Sequence, residues 1–451
     1  MQATLLFTSH PPTSCPFASP NAFSFSGNTG KMATLLKFGF ARRDISPIPS
    51  EMATQQIYQG GHGLLGYRYL SLFRTPSVRV HDPVEARAVV IRTEDTCLGL
   101  CVLDVTNVPR SVADVVRERV ASATQISATN VVVVATNTHS GPDLQGLYGG
   151  VHVDYRDRII RAASEALITA YHNVRPAHVS LGRASVLALN KATNATVEAP
   201  VVAFEVKDVN GHPLGIIVHS GVELNATEER CREISSDWAH YFRTELARLL
   251  NKDTPVLLLG GCRGLMPIAE VRGAGPFARA EAYGARMAAV VQEALSRAEM
   301  LSPKPDTPPL RVATTYFTLR IKNKTLIALW TGGYLGRDAE DDDEDYGMKV
   351  QGWQPFITAG TSATAIHLLS TTLIALPGEV YPSYASQLAS ETHESTCLVI
   401  GLANDCIAPL QTPDEPGGPH SLAISEEAGK EVRSRAGEVI RKVEGQWNSV
   451  L

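Results

Sequence analysis

Four short segments of the 451-residue chain place polar residues directly after an apolar run. They read VVVVATNTHSGP at 131–142, IIVHSGVELN at 216–225, VLLLGGCRGLMP at 256–267 and LPGE at 376–379. Open α/β sheets carry their sites at the carboxyl ends of strands, so these segments are candidates for one common site. The two imidazoles and the carboxylate of His139, His219 and Glu379 are a set that suits Zn²⁺ with one position left for water.

The elements that must position these residues alternate between strand and helix from residue 36 onward. Runs of apolar residues predict strands, and apolar residues spaced by three and four predict helices. The predicted strands are Ala86–Arg92, Leu98–Val105, Asn130–Ala135, Val201–Val206, Leu214–Val218, Pro255–Leu259, Leu310–Ile321, Thr325–Trp330, Leu373–Leu376 and Thr396–Gly401. The predicted helices are Ser111–Thr124, Tyr155–Tyr171, Ser235–Leu250, Pro276–Glu299 and Glu426–Glu444, with Ser111 and Ser235 as caps. The alternation predicts an α/β fold of mixed β-sheets flanked by helices.

The composition limits the kinds of partner. With 44% hydrophobic and 19% charged residues, the chain is typical of a soluble globular protein. A formal net charge of −5 gives no basic footprint and argues against nucleic acid as a partner. No apolar run approaches the roughly 18 residues that a transmembrane segment needs. Seven scattered cysteines lack the spacing of a disulfide framework, which favours a reducing compartment and thus the cytoplasm.

Two stretches indicate the domain organisation. Residues 1–35 begin with a segment rich in Ser, Thr, Pro and Phe, which predicts a disordered leader or an upstream start codon. The remainder, 36–451, is expected to form the folded domain. The proline-rich run at 302–309 predicts a link between two lobes, 36–301 and 310–451. The acidic run at 338–345 lacks the spaced ligands of a calcium loop and predicts a solvated loop.

Several motifs resemble those of one enzyme family. The segments that carry the resemblance are GFARRDISP at 39–47, HDP at 81–83, NTHSGP at 137–142, ISSD at 234–237, LPGE at 376–379, GLAN at 401–404 and TPDE at 412–415. They are similar in type and order to segments of the neutral ceramidases and their shorter bacterial relatives. On these motifs the chain is identified as a divergent member of the neutral/alkaline ceramidase family.

The resemblance implies a fold, a reaction and a cofactor. The fold is the neutral-ceramidase catalytic domain, without the C-terminal immunoglobulin-like domain of the larger ceramidases. The reaction is that of a zinc amidase, which cleaves the N-acyl bond of ceramide. A metal suits this chemistry because it polarises the amide carbonyl or delivers hydroxide near neutral pH.

Carried over residue by residue, the family's four metal ligands fall on Asn137, His219, Glu379 and Pro409, and His139 lies close to the metal and substrate. Two of these positions depart from the family, because an amide oxygen is a poor zinc ligand and proline has no side-chain donor. The catalytic serine falls on Met266, which can neither attack a carbonyl nor donate a proton. The family's serine mechanism is therefore not expected.

Three interpretations follow. In the first, His139, His219 and Glu379 rebuild a shifted metal site, and metal-bound water hydrolyses an amide or ester bond of a small or lipid-like substrate. In the second, the pocket does other chemistry without zinc, with His139, Glu223 or Cys262 as acid, base or nucleophile. In the third, the chain is a catalytically inactive ligand-binding homologue. The first is the primary hypothesis.

Overall fold

Strands and helices alternate along the chain, as its apolar pattern predicts. The computed structural model describes residues 36–61, 76–146, 149–228, 231–269, 275–304, 307–322, 324, 327, 347–351, 354–407, 409–410 and 426–445. The strands within these ranges are β1 (Lys37–Asp44), β2 (Arg79–Val80), β3 (Glu85–Arg92), β4 (Cys97–Leu103), β5 (Val131–Ala135), β6 (Arg175–Asn190), β7 (Ala195–Asp208), β8 (Pro213–Ser220), β9 (Glu233–Ile234), β10 (Val256–Leu259), β11 (Leu265–Pro267), β12 (Glu299–Met300), β13 (Leu310–Ile321), β14 (Gly347–Gln351), β15 (Gln354–Leu368), β16 (Thr371–Ala375) and β17 (Thr396–Ile400).

The helices lie between these strands. They are α1 (Pro49–Thr54), α2 (Arg110–Ala123), α3 (Val153–His172), α4 (Trp238–Leu250), α5 (Ala278–Ser296), α6 (Pro382–Ala389) and α7 (Glu426–Glu444). Of the helices in the described ranges, none is both long and apolar enough to cross a bilayer.

The larger sheet is mixed. Across the described ranges it contains ten strands, in the order β10-β8-β7-β6-β1-β3-β4-β5, with β11 and β12 paired to β6. β4 and β5 are parallel, as are β8 and β10, and the other neighbours on this path are antiparallel. Parallel strands end at the same edge of a sheet, so the segments that follow Ser220 and Leu259 leave β8 and β10 side by side.

A second sheet repeats this arrangement at its own edge. In the part of the chain that the structure describes it contains five strands, β13-β15-β16-β17 with β14 beside β15. β16 and β17 are parallel, with Ala375 opposite Ile400. The segments that begin at Leu376 and Gly401 therefore also leave their strands side by side.

Alternation of side chains along the strands builds four layers. In β5, Val131 and Val133 pack with helices α2 and α3, whereas Val132 and Val134 pack in a cluster shared with the second sheet. Helices α4 and α5 cover the rest of the same outer face of the first sheet, and α6 and α7 cover the outer face of the second. The order helix, sheet, sheet, helix confirms the predicted fold class of mixed sheets flanked by helices.

Two predictions concern the division of the chain into domains. The two lobes at 36–301 and 310–451 stay a prediction, and the predicted leader at 1–35 lies outside the described residues.

The apolar pattern does not predict some of the strands and helices. β6 and β15 contain many Ala, Ser, Thr and Gly residues, which give weak alternation between polar and apolar positions. They are strands because each pairs over most of its length with an antiparallel partner, β6 with β7 and β15 with β13. β1 and α6 were likewise not predicted. Apart from Ile327, the predicted strand Thr325–Trp330 lies outside the described residues, as does the acidic run at 338–345.

The two predicted helix caps are wrong. Helix α2 is preceded by Pro109, whereas Ser111 lies inside its first turn. Helix α4 is capped by Asp237, whose carboxylate accepts a hydrogen bond from the backbone N–H of Trp238 at 2.7 Å. The Ser235 hydroxyl instead accepts from the Asp237 backbone N–H at 2.9 Å.

Candidate functional site

The polar segments meet where the carboxyl ends of strands from both sheets come together. Asn404, beyond β17, donates its backbone N–H to Val133 O at 2.7 Å, and its Oδ1 accepts from Val133 N at 2.8 Å. Val380, beyond β16, forms a parallel bridge with Cys262, beyond β10. These backbone contacts join the edge of one sheet to the edge of the other.

Two glycines make this junction possible. Gly401 donates its N–H to Gly260 O at 3.0 Å, so the two backbones are in direct contact. A Cβ on Gly261, whose φ is +75°, would lie 2.3 Å from Gly401 O, and a Cβ on Gly401 would lie 2.0 Å from Gly261 O. No side chain fits in that space, so both positions require glycine.

The centre of the candidate site is the Glu379 carboxylate. Asn137 Nδ2 donates to its Oε1 at 2.9 Å, and Arg263 Nη1 donates to its Oε2. Burial acts to raise the pKa of Glu379, but the positive charge of Arg263 and the two hydrogen bonds hold that pKa below its ordinary value. The nearby His139 imidazole acts in the same direction. The carboxylate is therefore ionised, and its charge is balanced by Arg263.

Backbone and side-chain contacts fix the turn that carries Arg263. The Arg263 N–H donates to Val380 O at 2.9 Å. The next residue, Gly264, donates its N–H to Glu223 Oε1 at 2.6 Å. Glu223 is 2% exposed and also accepts two hydrogen bonds from Lys191 Nζ, at 3.1 and 2.9 Å. The predicted acid–base residue Glu223 thus holds the turn in place, and its charge is balanced by Lys191.

Asn137 has an unusual backbone and a polar atom without a partner. Its φ is +63°, a left-handed conformation that asparagine tolerates better than most residues. The side chain is buried, and Oδ1 has no hydrogen-bond partner among the described residues. With the amide reversed, Oδ1 would face the Glu379 carboxylate, so the hydrogen bond through Nδ2 is the favourable orientation.

His139 is partly exposed beside this cluster. Its backbone N–H donates to Leu224 O, and its carbonyl accepts from Gly61 N, both at 3.0 Å. A Cβ on Gly61 would lie 2.2 Å from the Cβ and Cγ of His139, so the loop at Gly61 lies directly against the imidazole. The effect of His139 on the pKa of Glu379 places the two side chains in one electrostatic site.

His219 and Cys262 lie together on a backbone carbonyl. His219 Nε2 donates to Val399 O at 2.9 Å, and Cys262 Sγ lies 3.8 Å from the same oxygen. Burial lowers the pKa of His219, which favours its neutral form. Burial, with the nearby charge of Glu223, raises the pKa of Cys262 to about 12. The thiol is protonated at neutral pH, which removes the basis for a nucleophilic role.

Met266 and Pro409 lie in segments that adjoin those of the candidate site. Met266 is half-buried in β11, opposite Leu189 of β6. Pro409 precedes Leu410, whose backbone forms a parallel bridge with Val380. Pro409 thus lies one residue from a strand-like contact with the segment that carries Glu379.

Sequence reasoning missed three polar residues of the site. Arg263 binds Glu379, Lys191 binds Glu223, and the Tyr381 hydroxyl accepts a hydrogen bond from Arg263. Arg263 could have been noticed, because it lies in one of the four segments that follow an apolar run. Lys191 and Tyr381 lie outside these four segments.

The donor set does not fit the zinc ion that the resemblance implies. The described residues contain no group of three or more His, Cys, Asp or Glu side chains that could hold a metal ion, so His139, His219 and Glu379 do not meet as a ligand set. Both oxygens of Glu379 accept N–H donors, one of them from a cation. His219 Nε2 is engaged with Val399 O.

Comparison with known proteins supports the fold. No protein-family model matches the chain, and no curated protein matches its sequence. Among solved structures it is similar to neutral ceramidase from Pseudomonas aeruginosa, with 14% identity and a TM-score of 0.71 over 92% of this chain and 75% of that chain. It is also similar to a structure described as ceramidase complexed with C2, with 14% identity and a TM-score of 0.70 over 92% of this chain and 76% of that chain. The chain therefore has the mixed α/β fold of a neutral ceramidase catalytic domain.

Proposed function

We propose that the chain is a ceramidase-like hydrolase that cleaves an amide or ester bond of a small or lipid-like substrate. The observation that carries this proposal is the Arg263–Glu379 ion pair, which lies beside His139 where the carboxyl ends of strands from both sheets meet. Buried charges in such a position are typical of catalytic sites.

Arg263 is the group suited to the substrate carbonyl. Its guanidinium has five N–H donors, and its side chain is 32% exposed although Nη1 is engaged with Glu379. Donors held rigidly in a partly buried site stabilise the negative charge that develops on a carbonyl oxygen. Glu379 and the fixed turn hold the guanidinium in position, so we assign Glu379 a positioning role.

His139 is the group suited to proton transfer. In the proposed reaction it takes a proton from water as the water oxygen bonds to the carbonyl carbon, and the carbonyl electron pair moves to the oxygen facing Arg263. When the carbon–nitrogen or carbon–oxygen bond breaks, the leaving group takes the proton from His139 and the carbonyl forms again. No protein nucleophile is needed, which agrees with methionine at position 266.

Hydrolysis by metal-bound water, the form in which the sequence suggests this reaction, is not part of the proposal. Both oxygens of Glu379 already accept N–H donors, one of them from the cation Arg263, and Nε2 of His219 carries the proton that it donates to Val399 O. We therefore route no step through a metal.

A second candidate is an acid–base enzyme that does not hydrolyse its substrate. The observation in its favour is that neither Cys262, a protonated thiol, nor Met266 can attack a carbonyl. His139 could still move a proton on a substrate held by Arg263. The product distinguishes the two candidates, because only hydrolysis adds a water oxygen to it.

The experiment is acyl release from a short-chain fluorescent ceramide and from the matching ester in H₂¹⁸O. We expect a fatty acid that carries ¹⁸O, and a fall in turnover of about 10²–10⁴-fold in His139→Gln. His212→Gln is the matched control, because that exposed side chain pairs with Asp208 in the turn before β8, whereas the site lies beyond the carboxyl end of β8. Turnover that survives His139→Gln would contradict the role of His139, and the absence of ¹⁸O-labelled acid would favour the second candidate.

A further inference from the structure

We infer that the guanidinium of Arg263 stands where a metal cation would neutralise Glu379, and that it keeps divalent metals out of this site. The fold is that of a neutral ceramidase catalytic domain, yet the chain supplies the positive charge itself. The inference concerns metal binding and holds whether or not the chain is a hydrolase.

The first support is the occupation of the carboxylate. Glu379 Oε1 accepts from Asn137 and Oε2 accepts from Arg263. A carboxylate has about four lone-pair sites, and these hydrogen bonds take one on each oxygen, so a metal must either displace a donor or bind at a remaining site. A metal at a remaining site would lie next to the positive charge of Arg263. Displacing Arg263 would leave a guanidinium unpaired beside a dication.

The second support is that the turn carrying Arg263 is held on both sides. Arg263 N donates to Val380 O at 2.9 Å, which ties the turn to the segment of Glu379 itself. Gly264 N donates to the buried Glu223 at 2.6 Å. Moving the turn, and Arg263 with it, away from the carboxylate would therefore break both backbone hydrogen bonds.

The third support is the side chain at position 137. Asn137 presents its Nδ2 donor to Glu379, 2.9 Å from Oε1, and leaves its buried Oδ1 without a partner among the described residues. The residue beside the carboxylate thus offers a hydrogen-bond donor, as suits an anion already paired with a cation. A histidine at position 137 would place an imidazole, a strong zinc ligand, next to Glu379.

The test separates the charge at position 263 from every other change. Asn137→His is combined with Arg263→Gln, which keeps an N–H donor without charge, and separately with Arg263→Lys, which keeps the charge. Each protein is incubated with zinc sulfate and desalted, and its zinc is measured by mass spectrometry and by the rise in melting temperature on zinc addition. Arg248→Gln in the Asn137→His background is the control, because it frees Glu245 from an exposed arginine in the same way.

We expect the double variant Asn137→His/Arg263→Gln to retain about one zinc per chain. It should bind zinc at least about tenfold more tightly than the double variant with Arg263→Lys and the Arg248→Gln control. Equal affinity of the two Arg263 variants would overturn the inference. If the double variant with Arg263→Gln does not fold, zinc binding by the wild-type chain tests the inference. A stoichiometric zinc in wild type that is lost in Glu379→Gln contradicts the inference, and no retained zinc supports it.

Discussion

Arg263 and Glu379 form an ion pair although they follow strands of different sheets. Arg263 lies beyond β10 of the larger sheet and Glu379 lies beyond β16 of the second. The parallel bridge between Cys262 and Val380 sets their backbones side by side. The pair therefore forms only when both sheets have docked, which links the integrity of the site to that of the whole described fold.

The coupling between the two residues is measurable by a double-mutant cycle. We expect Arg263→Gln and Glu379→Gln each to lower the free energy of unfolding, because each leaves a partly buried charge without its partner. The double variant should lose less than the sum of the two, with a coupling energy of about 1–3 kcal/mol. Urea denaturation of the four proteins measures it, and additive losses would show that the two charges do not interact.

Two substitutions, to alanine and to glutamine, test whether Glu223 holds the turn at Gly264 in place. Glu223→Ala removes the acceptor of Gly264 N and the partner of Lys191, and we expect it to cost about 1–3 kcal/mol of stability. Glu223→Gln keeps an acceptor and should cost less. Glu198→Ala, an exposed glutamate on β7, is the control. An equal loss in Gln and Ala variants would mean that the charge, rather than the contact with Gly264, is what matters.

The sequence located the segments of the site but not the pairing within it. Apolar runs predict where β5, β8, β10 and β16 end, so Asn137, His139 and Glu379 could be selected because a strand precedes each segment. Arg263, which neutralises Glu379, lies more than a hundred residues away in sequence. Their contact depends on how the two sheets dock against each other. No local sequence pattern encodes that docking, so the sequence does not predict Arg263 as the partner of Glu379.

The same limit applies to the predicted metal set. His139, His219 and Glu379 are chemically suited to zinc, yet His219 Nε2 points to a backbone carbonyl that belongs to β17. The residue types can be read from the sequence, whereas the direction of the imidazole is set by packing between β8 and β17. Strands β6 and β15 show the same dependence on distant contacts. Their apolar pattern is too weak to predict a strand, and their antiparallel partners make them strands.

The thiol of Cys262 is expected to be unreactive. Because burial raises its pKa to about 12, very little thiolate is present at neutral pH. Iodoacetamide at pH 7.5 should leave Cys262 unmodified in the folded protein and modify it after denaturation, as read by peptide mass spectrometry. Rapid alkylation of the folded protein at this residue would restore Cys262 as a candidate nucleophile.

Burial of His219 makes the stability of the chain depend on pH. Its pKa lies below the ordinary value of 6.5, so as pH falls below 6.5 the unfolded chain takes up a proton that the folded chain does not. The contribution is present in full above pH 6.5 and is lost as pH falls through the folded pKa. The free energy of unfolding should fall by up to about 1.4 kcal/mol per pH unit for this residue.

Urea denaturation at pH 7.5 and 5.5 measures this dependence in wild type and in His219→Gln, whose amide can still donate to Val399 O. We expect a shallower dependence in the variant and an unchanged one in His212→Gln, whose side chain is exposed. An identical dependence in wild type and His219→Gln would show that another group controls the acid limb.

The most direct measurement is the hydrolysis of short-chain fluorescent ceramide and its matching ester after exhaustive dialysis against EDTA, with and without added zinc. Three proteins are compared: wild type, Arg263→Gln and the surface control Arg248→Gln. If Arg263 supplies the positive charge, wild type and Arg248→Gln release fatty acid at the same rate with and without zinc. In Arg263→Gln, kcat/KM should fall by about 10²–10³-fold. Release that stops on dialysis and returns with zinc, or that survives Arg263→Gln, would contradict the proposal.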